Sequence, residues 1–127
     1  MSALVDLAGK KGLIVGIANQ DSIAYGIGKK VVAAGATVAT TFLNEKAEVF
    51  VRPLAGELKS EIIMPCNVMV DGQLEAVFEE VARKWGKLDF VIHAIAFSPL
   101  ADLHGRIVDC SAQGFAQAMD VSCHSFI

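Results

Sequence analysis

Four short segments of the chain are apolar almost without interruption: residues 12–15, 36–43, 61–66 and 88–96. A strand exposed on one face alternates apolar with polar residues, so continuous runs of this length predict strands buried on both faces, as in parallel sheets. Between them the spacing changes. Residues 71–85 carry Leu74, Val77, Phe78, Val81, Ala82 and Trp85 three and four apart, the apolar stripe of an amphipathic helix. Asp71 is placed to cap its start, and Gly86 to end it in the left-handed conformation. A helix over 23–34 ends at Gly35, and a weaker one over 45–58 contains Pro53, which predicts a kink or a late start. After a stretch at 97–110 rich in turn formers, a last helix opens near Ser111, with Phe115, Met119, Ser122 and Phe126 at helical spacing.

Strand and helix thus alternate from the first strand to the fourth. With right-handed crossovers, that order predicts an α/β fold, a doubly wound parallel sheet of Rossmann type represented by its first four strands. No repeat, low-complexity tract or linker divides the 127 residues, so a single domain over 1–127 is expected. Its last helix stops at Ile127 without a cap, which reads as an incomplete domain whose remainder lies beyond this chain.

Composition removes several function classes. Hydrophobic residues make up 54% and charged residues 20%, enough to bury a core and inconsistent with disorder. The net charge of -3 and the scattered Lys and Arg provide no stripe for a nucleic-acid backbone. Without an apolar run of membrane-spanning length or a leader-like amino terminus, a soluble cytoplasmic protein is expected. Cys66, Cys110 and Cys123 form no C-x-x-C pair and read as buried free thiols. His93, His104 and His124 lack ligand spacing, so no metal is expected.

The chemistry concentrates after the first strand, where residues 16–30 read GIANQDSIAYGIGKK. A glycine turn between a strand and a helix aims uncompensated N–H groups and the positive end of the helix dipole at one place, where a pyrophosphate would sit. G-x-G-x-x-G does not fit this turn. Gly16 suits a sharp bend that phosphate can approach, Ser22 either donates its hydroxyl to phosphate or caps the helix, and Gly26 would let the helix close on the strand. Gly26 and Gly28 lie inside the helical pattern and read as packing glycines.

GIANQDSIAYG, together with HAIAF at 93–97 and DVSCHSF at 120–126, resembles the bacterial NADH-dependent enoyl-[acyl-carrier-protein] reductases, a divergent branch of the short-chain dehydrogenase/reductase superfamily. The resemblance runs over residues 7–127. It implies that Gly16, Ile17, Ser22 and Ile23 hold the pyrophosphate of NADH, that Asn67 and Val68 border the adenine, and that Ala94, Ile95 and Ala96 line the ribose and nicotinamide side. It also implies an acyl pocket at Phe97, Ser98 and Leu103, an enoyl-acyl-carrier protein as substrate and partner, and a homo-oligomer, commonly a tetramer.

In that family a Tyr-x6-Lys pair stabilises the enolate and holds the nicotinamide ribose. The single tyrosine here, Tyr25, is not followed by that spacing, so no catalytic residue is assigned. His93, Asp120 and His124 read as core or surface groups. Three positions depart from the family pattern: Asn67 replaces an acid, Leu43 replaces a glutamine or basic residue, and Ala96 replaces a glycine. Leu43, Asn44 and Glu45 offer no guanidinium to a 2'-phosphate and Lys46 is expected to face solvent, which favours NADH over NADPH. Two other readings stay open: a short-chain dehydrogenase/reductase acting on a carbonyl, and a non-catalytic dinucleotide-binding module.

Overall fold

The computed structural model describes residues 4–127. The chain forms two compact units, one ending at Ala94 and the other spanning Ile95–Ile127. In the first unit, strands β1 (Lys11–Val15), β2 (Thr37–Phe42), β3 (Ile62–Pro65) and β4 (Phe90–His93) alternate with helices α1 (Ile23–Ala33), α2 (Glu45–Glu57) and α3 (Gln73–Trp85). Every strand pairing is parallel, in the order β3-β2-β1-β4. The expected Rossmann-type sheet is therefore present, and the strand order reverses at β1, with β2 and β3 added on one side of it and β4 on the other.

Alternation along each strand distributes the core. Ile14, Val38 and Phe42 cluster with Ala24 and Tyr25 of α1 and with Val51 of α2, and Leu58 closes the cluster. Leu13, Val15, Ala39 and Thr41 are the intervening residues and are buried as well, so β1 and β2 are covered on both faces, whereas in the edge strand β4 no residue is buried and Val91 is 39% exposed, short of the two-sided burial its apolar run predicts. Thr40, fully buried, donates to Ser60 Oγ at 3.0 Å, and Ser60 donates onward to a backbone carbonyl of the neighbouring strand, so this polar group inside the core is satisfied. Gly12 lies beneath the ring of its β4 partner Phe90, in space a Cβ would take.

Several boundaries differ from expectation. Helix α3 starts at Gln73, with Gly72 rather than Asp71 at its cap position, because that residue has φ 87°, a conformation cheap only for glycine. Gly86 ends it at φ 69°, as expected. Of its predicted stripe, only Val77 and Val81 are buried. Phe78 is 41% exposed, because the stripe is wider than the strip of sheet it covers. Helix α2 runs unbroken through Pro53 from its Asn44 cap, since Pro53 stands on the exposed side. Strand β4 is shorter than its apolar run, because Ala94 is the last residue whose N–H bonds to β1, at Val15 O.

The second unit holds a short helix α4 (Leu100–Leu103), a 3-10 turn at Ile107–Asp109, helix α5 (Ala112–Ser122) and a final 3-10 turn at His124–Phe126. Ser111 caps α5 by accepting from Gly114 N at 2.9 Å, as its sequence position implied. Asp102 accepts from both the N–H and the hydroxyl of Ser111, fastening α4 to that cap. Phe115, Met119 and Phe126 are exposed, and so are Cys110 and Cys123; of the three thiols expected inside, only Cys66 is buried.

Candidate functional site at the carboxyl ends of the strands

The strand order reverses at β1 and β4, and the carboxyl ends of strands at such a point are the place where doubly wound sheets take their ligands. Gly16 stands there with φ 127°. A Cβ at this position would run into the carbonyl oxygen of Ala94 just beyond β4. Glycine is thus required by backbone against backbone, before any ligand is considered.

Ser22 occupies the cap position of α1, yet its side chain caps nothing in the helix. Its Oγ accepts instead from Ala18 N at 2.9 Å and Asn19 N at 3.0 Å, curling the 16–22 loop around the hydroxyl. Two consequences follow. The first N–H groups of α1 receive no side-chain cap, and the Ser22 O–H has no acceptor among the described residues. Ile17 is 3% exposed within the core cluster, so only its backbone faces a ligand, whereas Ile23 is 77% exposed.

The glycines of α1 divide differently from the sequence reading. Gly26 is exposed, with nothing within 4 Å of the Cβ it lacks, so it does not seat the helix on the strand. Gly28 does, since a Cβ there would stand 2.9 Å from Leu58 and 3.3 Å from Ile14. Tyr25 donates a short hydrogen bond to Glu57 at the far end of α2. That bond, with burial, holds its phenol above the ordinary tyrosine range.

Beyond β2 and β3 the edge continues. Asn44 spends its Oδ1 on Ala47 N at 3.0 Å, capping α2, while Leu43 is 53% exposed beside it and Lys46 faces solvent. Cys66 N donates to Phe42 O at 2.8 Å, tying the end of β3 to the end of β2. Burial pushes the Cys66 thiol up, with Glu75 adding to the effect. Asn67 follows, its N–H donating to Gln73 Oε1 at 2.7 Å and its Oδ1 accepting from Met69 N at 2.9 Å. The role of Gln73, which folds the first turn of α3 back onto this loop, was missed from sequence; a glutamine at the start of the helix, six residues after Asn67, was its only signal.

The structure therefore gathers Gly16, Ile17, Ser22, Ile23 and Ala94 around one turn and sets Asn67 and Val68 at the same edge of the sheet. Ile95, Ala96, Phe97, Ser98 and Leu103 belong to the second unit. There Ser122 Oγ accepts from Phe97 N at 3.0 Å, and the Phe97 and Leu103 side chains are exposed rather than in a core. Among the described residues no group of three His, Cys, Asp or Glu is arranged to hold a metal, and no helix is long and apolar enough to cross a membrane.

A family model described as enoyl-(acyl carrier protein) reductase matches residues 16–127. The chain belongs to this family. It is 45% identical over 118 residues to enoyl-[acyl-carrier-protein] reductase [NADH] 2 of Rhizobium meliloti, covering 93% of this chain and 44% of that relative. The Aquifex aeolicus FabI reductase is 39% identical over 95% of this chain and 45% of its own length. Among solved structures, the Anaplasma phagocytophilum reductase in complex with NAD aligns with a TM-score of 0.90 at 44% identity, over 99% of this chain and 48% of that one. The Bacillus cereus reductase, solved with NADP+ and an indole naphthyridinone, aligns at 0.89 and 39%, over 96% and 48%. The chain spans about half the length of the curated relatives it matches.

Proposed function

We propose that this chain is the dinucleotide-binding part of an NADH-dependent enoyl-[acyl-carrier-protein] reductase of fatty acid biosynthesis. The observation that carries this reading is the β1–α1 turn. It lies at the strand-order reversal, its hydroxyl is turned into the loop, and the N–H groups of its helix have no side-chain cap. Such a turn fits an anion, and the exposed Gly26 leaves open space on the first turn of α1.

In this reading the backbone at Gly16, Ile17 and Ile23 and the Ser22 hydroxyl hold the pyrophosphate. Asn67 and Val68 border the adenine, Ala94, Ile95 and Ala96 line the nicotinamide half, and Phe97, Ser98 and Leu103 meet the acyl chain. When bound, the nicotinamide supplies the hydride that reduces the trans-2-enoyl double bond. The chain contributes binding, orientation and exclusion of water. Its one tyrosine is engaged with Glu57, so enolate stabilisation belongs to groups that these 127 residues do not supply. Expected company is a second or further copy of the protein, commonly four, and an enoyl-acyl-carrier protein, in the cytoplasm. The exposed Phe115, Met119 and Phe126 favour burial against more protein.

Titration of the chain with NADH, followed by nicotinamide fluorescence, tests the reading. Saturable binding is expected, with no oxidation of NADH by crotonyl thioester. Ser22→Ala should weaken binding about fivefold, the worth of one hydrogen bond to a charged group less what the helix terminus retains. Affinity unchanged in a folded Ser22→Ala chain would remove the pyrophosphate from this turn.

A further inference from the structure

The loop after β3 carries Asn67, and the hydrogen bonds around that residue decide what it can offer a ligand. An amide presents two faces, an oxygen that accepts and an NH₂ that donates. Here the faces are assigned by chemistry, because Met69 N can only donate and therefore holds Oδ1, at 2.9 Å. Among the described residues no hydrogen bond engages Nδ2, and the residue is only half-buried. The backbone N–H is also committed, to Gln73 at 2.7 Å. The arm of the amide left without a partner is the NH₂, a donor.

In a bound dinucleotide the strand order would set that donor against the base. In a doubly wound sheet the pyrophosphate sits at the first strand-to-helix turn and the ribose of the adenosine half lies over the end of the second strand. The base then falls beyond β2, toward β3, and Asn67 is the second residue past β3, one step from the Cys66–Phe42 bond that joins the two strand ends. A carboxylate there would accept from the exocyclic N6 amine of adenine. An amide whose oxygen is turned to the Met69 N–H presents its NH₂ on the other arm, donor against donor with that amine, and suits a base with a carbonyl at the same position.

We propose that Asn67 relaxes the base selectivity of this site, so that a hypoxanthine dinucleotide, with O6 in place of the N6 amine, binds about as well as the adenine dinucleotide. The proposal rests on the dinucleotide-binding reading above and extends it to the identity of the base.

The test titrates the chain with NADH and with reduced nicotinamide hypoxanthine dinucleotide. The two affinities should lie within about twofold of each other. Asn67→Asp, which keeps an acceptor for Met69 N and replaces the outward donor with a second acceptor, should move the ratio at least about fivefold toward NADH, the scale of one gained and one lost hydrogen bond. Asn67→Ala, which removes the donor, should weaken the hypoxanthine dinucleotide more than NADH. A ratio that Asn67→Asp leaves unchanged overturns the inference, whatever its starting value. Failure of the unsubstituted chain to bind either dinucleotide overturns the proposed function instead, and the base preference with it.

Discussion

At the amino ends of β1 and β4, Asp89 accepts the Lys11 N–H at 2.7 Å and faces the Lys87 ammonium at 3.1 Å, while at the carboxyl ends of the same strands Gly16 and Ala94 meet through backbone alone. The contrast extends across the sheet. At the amino end Glu61 accepts from Trp85 Nε1 at 2.7 Å, Lys84 donates to Glu61 O, and the Lys11 ammonium lies 5.2 Å from the centre of the Trp85 ring. These bonds cross between elements far apart in sequence. At the carboxyl end each turn is closed by its own short polar residue: Ser22 on Ala18 and Asn19, Asn44 on Ala47, Asn67 on Met69. Long-range polar contacts hold the strands at one end, so the loops at the other need only shape themselves. Self-closing turns leave donors pointing outward, which is what a phosphate or a base requires.

Gly16→Val is the change that breaks this division most directly. It forces a β-branched residue to φ 127° and drives its side chain into the Ala94 carbonyl. The expected cost is about 3 kcal/mol or more, read as a lower urea midpoint. Weak NADH binding in this variant would therefore report the fold and not a phosphate contact. An unchanged midpoint would mean that the Gly16–Ala94 contact yields, and that its backbone fit is not what demands glycine.

A smaller change sharpens the contrast by adding a long polar side chain to the carboxyl edge. Leu43 is exposed and carries no hydrogen-bonding side chain, and the Oδ1 of its neighbour Asn44 is committed to capping α2. Leu43→Arg should shift relative affinity toward NADPH by about tenfold, measured by titration with both cofactors. A shift absent in the folded variant would place the adenosine ribose away from the end of β2.

The central strands were legible because continuous apolar runs suit strands covered on both faces, and Val38, Ala39, Leu13 and Ile14 are fully buried, while the equally apolar run of β4 lies at the edge with Val91 exposed. The last helix was legible at its start, where Ser111 had no competing partner for its capping role. Legibility failed where two residues could serve one purpose. Gly26 and Gly28 look alike in sequence, and only the position of Leu58 and Ile14 shows that the second seats the helix. Ser22 reads either as a phosphate donor or as a cap, and only the two N–H groups of the loop before it, which claim its oxygen, remove the second role. Asp71 reads as the cap of α3 because side-chain capping leaves a mark in sequence, whereas the left-handed backbone that puts Gly72 there does not. The amino-end network could not be read at all, because Asp89, Lys11 and Glu61 are distant in sequence and each resembles an ordinary surface charge.

That network supplies the mildest test, and it bears on the other half of the comparison. The Lys11 N–H, followed by Lys87, holds the Asp89 carboxyl below the usual carboxylate range. A carboxyl with its pKa depressed by folding stabilises the native state above its unfolded value, near 4, and loses that contribution as pH falls through the folded value. The unsubstituted chain should accordingly lose stability through this window on acidification, and part of the loss should vanish in Asp89→Ala. At pH 7 the same variant should melt a few degrees lower, because Lys11 N–H loses its acceptor and Lys87 its partner. The NADH affinity of the variant, measured well below its melting temperature, should be unchanged, since the carboxyl-end turns close upon themselves. A loss of affinity as large as that of Ser22→Ala would show instead that the register of β4, fixed by Asp89 at one end, sets the geometry of Ala94 and Gly16 at the other. The two ends would then be a single device, and the division of labour between them would fall.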